Sequence, residues 1–304
     1  MKEYDIAKGV AIYLVVLGYI LGETLFIGEK LQIVISFCHM PVFFFISGFF
    51  LNKSIKKYTK KELFFQKIKQ LLVPYLIWSE ISLGANVLLA VRNNVELKEE
   101  CVEAVNIFIY ARSVWFLIVL FITPSIVIFL VALAEKIHVN KCIVMLIGWI
   151  IISICIPSQI LSLYKFKWLF PFLILGVWLE NYSEVVQKIC RNGYFAIIFI
   201  ILCLYTYNDF FGERYFEFKY DTLESVLVGG WYYVLSIMAI IMVLWISVKM
   251  NNSRCGKILA IVGEYSMKVY VMHMFFVKFM VSVPNGLYNN ESVIAIFMQE
   301  LLWE

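Results

Sequence analysis

Long apolar runs alternate with short polar breaks along the whole 304-residue chain. They fall near 9–27, 31–51, 71–91, 113–134, 141–160, 167–180, 194–208, 231–248 and 258–281. A helix needs roughly 17–25 residues to cross a bilayer. Most of the runs meet that length; the sixth and seventh are short. A further run, Ser292–Trp303, covers only about half a span. The chain there either ends in a half-helix or lacks part of its C-terminus. No heptad, low-complexity tract or 20–50-residue repeat interrupts the pattern, and no duplication of the transporter kind is visible. The pattern predicts an all-α, polytopic transmembrane helix bundle of about nine to ten spans. No polar stretch is long enough to hold a separate core, so 1–304 reads as one integral-membrane domain.

Composition strengthens that reading. The chain is 62% hydrophobic and 16% charged, with mean hydropathy +0.84, where a soluble domain is about half apolar and a quarter charged. Its 26 Phe, 18 Tyr and 8 Trp suit interfacial aromatic belts. The net charge of +4 comes with basic residues concentrated in membrane-adjacent loops, which points to membrane lipids and excludes a nucleic-acid partner. The seven cysteines lie mostly in apolar runs without a Cys-x-x-Cys pair, so neither a metal site nor a disulfide framework is indicated. Lys and Arg set the orientation. With the N-terminus cytoplasmic, 16 basic residues fall inside and 8 outside. The segment 52–70 (NKSIKKYTKKELFFQKIKQ) carries most of that bias.

Candidate chemistry lies where ionisable or polar groups enter the spans, because such groups are costly in hydrocarbon. Counting about 1.5 Å of rise per residue, Tyr19, His39 and Glu80 each lie roughly 14–18 Å deep on three consecutive spans. Lys8 and Tyr19 are eleven residues apart, almost three helical turns, so they share a face. A ligand with an anionic part at the surface and a reactive part deeper fits that arrangement, and coenzyme A has that shape. Lys8, with Lys53, Lys56 and Lys57 of the basic segment, would hold its phosphates. Transfer of an acyl group to a hydroxyl needs a base and oxyanion donors. His39 can be the base and Glu80 its orienting partner. Each residue also has a plainer reading: Lys8 snorkelling to the surface, the basic segment as topology determinant and lipid contact, and His39, Tyr19 and Glu80 as interhelical packing or hydrogen bonding. Trp115 heads its span as an interfacial anchor or an acceptor-stacking ring. His273 lies on a stripe with Ser266 and Tyr270, which reads as helix packing or as a substrate contact. Glu264 and Lys268, four apart, read as a structural helix pair.

DIAKGVAIYLVVLGY (5–19), FCHMPVFFFISGFF (37–50), LLVPYLIW (71–78), VWFLIVLF (114–121), FPFLILGVWL (170–179) and GEYSMKVYVMH (263–273) resemble successive landmarks of the acyltransferase-3 family, in family order over roughly residues 5–280. HMPVFFFISGFF is the most specific of them. The resemblance implies an O-acyltransferase of about ten spans that takes acetyl-CoA from the cytoplasm as donor co-substrate. No bound cofactor is implied. The acceptor would be a hydroxyl of a cell-surface polysaccharide or its lipid-linked precursor, and the location the cell (inner) membrane. The family has a basic residue, then ten residues, then His in its first span. Here those positions are Lys8 and Tyr19. A phenol, with an ordinary pKa of about 10, is a poor base at neutral pH but a competent hydrogen-bond donor. An active enzyme relying on His39 and a catalytically disabled relative serving as a membrane scaffold or binding subunit are therefore both compatible with the residues. A transporter of glycan intermediates is the third reading.

Overall fold

The computed structural model describes residues 2–24, 28–92, 115–155, 163–209, 223–273 and 276. These are 93% helical, and no strand occurs among the described residues. Four segments, Lys2–Leu21, Trp115–Lys136, Lys165–Cys190 and Gly229–Met250, are long and apolar enough to cross a membrane, and Lys141–Cys155 and Tyr194–Leu204 are shorter apolar helices. The half-span at Ser292–Trp303, residues 210–222 of the acidic stretch and most of the end of the last predicted span lie outside the described residues.

The helices are α1 (Lys2–Thr24), α2 (Gly28–Lys57), α3 (Lys60–Lys67), α4 (Val73–Arg92), α5 (Trp115–Lys136), α6 (Lys141–Cys155), α7 (Leu163–Leu179), α8 (Ser183–Cys190), α9 (Tyr194–Asp209), α10 (Leu223–Met250) and α11 (Arg254–Glu264). A further helical stretch, α12, covers 266–273. They form two compact units, one from Met1–Ile46 with Asn181–His273 and one whose described part lies within Ser47–Glu180, apart from Phe276.

Two departures from the apolar pattern matter. The lysine-rich segment is ordered structure rather than a polar loop. α2 runs on to Lys57, and α3 starts at a reciprocal cap in which Thr59 accepts from the Glu62 amide while Glu62 accepts from the Thr59 amide. A π-helical turn, Ile68–Leu72, then leads into α4. The predicted span 258–281 is a second departure, because it is broken. Tyr265 caps α11, and its carbonyl accepts from the amides of Lys268 and Val269, so the next helix restarts there. The expected Glu264–Lys268 pair is lost at this break; Lys268 instead lies 4.8 Å from the Tyr265 ring centroid.

Inside a bilayer, helices gain nothing by leaving water, so close van der Waals contact must hold them. In the first unit, α11 lies directly on α1 through glycines. A methyl group on Gly9 would fall 2.0 Å from the Leu259 carbonyl oxygen, and one on Gly263 would fall 1.7 Å from that of Asp5. Phe37 of α2 packs on Leu235 of α10, and Cys38 packs on Phe199 and Ala239, with Leu14 of α1 beside them. In the second unit the same device recurs at Gly48, where a methyl group would fall 2.1 Å from the Leu173 carbonyl oxygen. Hydroxyls inside these helices bond back along their own turn, as Thr123 does to Val119 and Ser247 to Val243.

Candidate active site

The first unit brings together Tyr19 of α1 and His273 of α12. Their rings meet edge to face with centroids 4.8 Å apart. The chain encodes this meeting through the glycine contact. Gly9 and Gly263 touch, and Tyr19 and His273 each lie ten residues further on. Ten residues of helix rise about 15 Å, so two segments leaving one contact in the same direction carry both rings to one level. Ser266, Tyr270 and His273 are all buried, with His273 only 3% exposed, as residues at i, i+4 and i+7 of one face would be.

The His273 ring is held from one side only. Its Nδ1 lies against the Tyr270 carbonyl oxygen, and the Tyr270 ring sits 5.3 Å away. A carbonyl can only accept, so Nδ1 carries the proton and Nε2 of the neutral ring keeps its lone pair. That Nε2 is buried and has no hydrogen-bond partner among the described residues. A buried polar atom left unmatched costs about 1–3 kcal/mol, and in a membrane span such a group marks function by default.

His39 of α2 belongs to the same unit, within electrostatic reach of His273. Its Nδ1 donates to the Ile35 carbonyl oxygen over 2.7 Å, so its Nε2 also holds the lone pair. The Ile35 backbone carbonyl thus fixes the tautomer of this ring. Pro41 two residues on has no amide hydrogen, which leaves the Phe37 carbonyl without its usual helical donor and marks this turn of α2 as irregular. Glu80 lies in the second unit on α4, with its side chain exposed.

The remaining candidates are at helix ends. Lys8 pairs with Asp5 at 2.8 Å, three residues back on α1. Lys56 pairs with Glu180 at 2.5 Å. Lys53 and Lys57 are exposed and lie over Phe49 and Tyr58, at 4.8 and 5.1 Å from the ring centroids. Trp115 carries the Lys165 ammonium 3.7 Å from its ring centroid, so one ring face is already covered.

Sequence reasoning had treated Asn52 only as the start of a basic segment. The structure makes it a fully buried bridge, donating to Glu180 at 2.8 Å and accepting from Lys141 at 2.7 Å. It had also kept Tyr19 and His273 apart. The signal that joins them, equal spacing from Gly9 and Gly263, was in the sequence, but only the contact between those glycines gives it meaning.

An imidazole with one nitrogen fixed and the other open, beside a phenol, can take and return a proton while a hydroxyl donates a hydrogen bond nearby. No curated protein and no solved structure matches the chain. Residues 1–298 match the family model described as an acyltransferase domain, and the chain belongs to that acyltransferase-3 family of membrane acyltransferases.

Proposed function

We propose that this membrane acyltransferase moves an acetyl group from acetyl-CoA to a hydroxyl of a cell-surface polysaccharide or its lipid-linked precursor, in the cell inner membrane. The observation that carries the reading is the open Nε2 of buried His273 beside Tyr19, with His39 in the same unit. One imidazole Nε2 takes the acceptor hydroxyl proton as that oxygen attacks the thioester carbonyl carbon. The carbonyl oxygen gains negative charge, and the Tyr19 hydroxyl donates to it. The carbon–sulfur bond then breaks, the ester is released, and the leaving coenzyme A thiolate takes the proton back from the imidazolium. Tyr19 thus acts as donor, which suits a phenol at neutral pH, and the base comes from α2 or α12. Lys53 and Lys57 meet the donor's phosphates at the surface as point charges.

The test uses purified protein in nanodiscs with labelled acetyl-CoA and a membrane-glycan extract as acceptor. Label transfer is followed for the natural chain and for His39→Ala, His273→Leu and Tyr19→His. Turnover by the natural chain, lost in either imidazole variant, supports the reading and tells which ring is the base. Turnover by Tyr19→His alone overturns it in favour of a disabled relative with a binding or scaffold role.

A further inference from the structure

We infer that the first unit carries a binding site for an anionic glycerophospholipid at the junction of α8, α9 and α10, separate from the histidine pair. The site is a groove of about 640 Å³. At its polar end stand Lys188, in the last turn of α8, and Arg191, which caps it. Both are exposed, and neither takes part in an ion pair among the described residues. They lie at the end of the chain's spans that the lysine bias assigns to the cytoplasm, where anionic lipid headgroups concentrate.

The groove continues along α9. Ile197 and Ile200 line it, about half exposed at 55% and 52%. Ile200 lies six residues beyond Tyr194, the start of α9, so the wall runs roughly 9 Å along that helix. A soluble anion has no use for such a wall, whereas an acyl chain does. Trp245 of α10 closes the other side. Its ring packs on Gly193, where a methyl group would fall 3.1 Å from the indole carbon Cζ2 and 3.2 Å from Nε1. The groove thus offers two cations at one end and an apolar wall beyond them. A glycerophospholipid supplies the matching sequence of groups: a phosphate for Lys188 and Arg191, and an acyl chain for Ile197, Ile200 and the Trp245 ring. Gly193 is required because any side chain there would push the indole out of place.

The experiment is native mass spectrometry of the full chain in detergent, titrated with phosphatidylglycerol, phosphatidylcholine of the same chains, or soluble glycerol 3-phosphate. The natural protein should retain phosphatidylglycerol in preference to phosphatidylcholine and should not retain glycerol 3-phosphate. Lys188→Gln with Arg191→Gln should weaken phosphatidylglycerol retention about tenfold or more, since each basic residue near an anionic surface counts for about a fivefold factor. Trp245→Ala, which removes the ring that closes the groove, should weaken both lipids by a smaller factor. Arg254→Gln with Lys257→Gln, an exposed basic pair on α11, serves as the control and should change nothing. Equal retention of the two lipids, equal loss in the control pair, or retention of glycerol 3-phosphate as strong as that of the lipid would each overturn the proposal.

Discussion

Two buried polar clusters in this protein look alike in sequence and differ in what they leave unmatched. In the second unit, Asn52 is fully buried, yet its amide nitrogen donates to Glu180 and its oxygen accepts from Lys141, while Lys56 also pairs with Glu180. The cluster ties the ends of α2, α6 and α7 together. In the first unit, His273 is almost as buried, but only Nδ1 is bonded, and Nε2 has no hydrogen-bond partner among the described residues. A satisfied network stabilises and fixes geometry. An unmatched nitrogen costs stability and makes the residue a candidate for binding or proton transfer. Burial alone would have given the two clusters the same meaning; the hydrogen-bond inventory separates them.

The same substitution in each cluster should therefore act in opposite ways. His273→Leu removes an unmatched polar atom and should leave thermal stability unchanged or raised. It should lower acyl transfer by about 10²–10⁴, the usual contribution of a positioned base. The loss should fall on kcat, with the donor KM little changed. A variant that unfolds, or that loses stability and activity together, would place His273 with Asn52 as a structural residue. Asn52→Leu should do the reverse. It strands Lys141 and Glu180 beside an apolar side chain and should cost about 1–3 kcal/mol, read as a lower melting temperature in detergent. The transfer rate per folded molecule should stay as it was.

A finer cut comes from Tyr19→Phe. The ring contact with His273 at 4.8 Å survives, and only the hydroxyl goes. If Tyr19 donates to the developing oxyanion, kcat should fall roughly threefold to tenfold, the span of a single neutral hydrogen bond. An unchanged kcat would reduce Tyr19 to packing and leave His273 and His39 to carry the chemistry.

The membrane bundle and the family were legible from the apolar runs and the landmark blocks because both are written locally, within single spans. His39 was legible for the same reason, lying in HMPVFFFISGFF. What escaped depends on contacts across the chain. The break at Tyr265 is invisible to hydropathy, since apolar residues continue on both sides; it follows from α11 lying on α1, where Gly263 meets Asp5. The partnership of Tyr19 with His273 follows from that same contact. The backbone carbonyl that holds His39 Nδ1 is likewise not revealed by one sequence position. Asn52 reads as the polar start of a lysine run until Lys141 and Glu180 are seen to converge on it.

The smallest expected effect lies at the start of α3 and shows how a paired group at the surface differs from both clusters. The Thr59 amide donates to Glu62 Oε2 at 2.9 Å, and the Glu62 amide donates to Thr59 Oγ1 at 3.3 Å. The Thr59 backbone N–H, helped by its hydroxyl, holds the Glu62 carboxyl below its usual range, with a small opposing contribution from burial. A carboxyl lowered on folding stabilises the folded form above its unfolded pKa, and that contribution is lost as pH falls through the folded value. The cap should accordingly hold at neutral pH and loosen only in acid. Hydrogen exchange at the amides of Thr59 and Glu62, corrected for the intrinsic pH dependence, should speed up as pH is lowered through that range. Glu62→Gln keeps a hydrogen-bond acceptor without the titrating charge and should abolish the change. Because Glu62 is exposed and the cap is local, acyl transfer at neutral pH should be the same in Glu62→Gln and the natural chain. A clear rate change would mean that α3 positions the donor as well as ordering the lysine-rich segment.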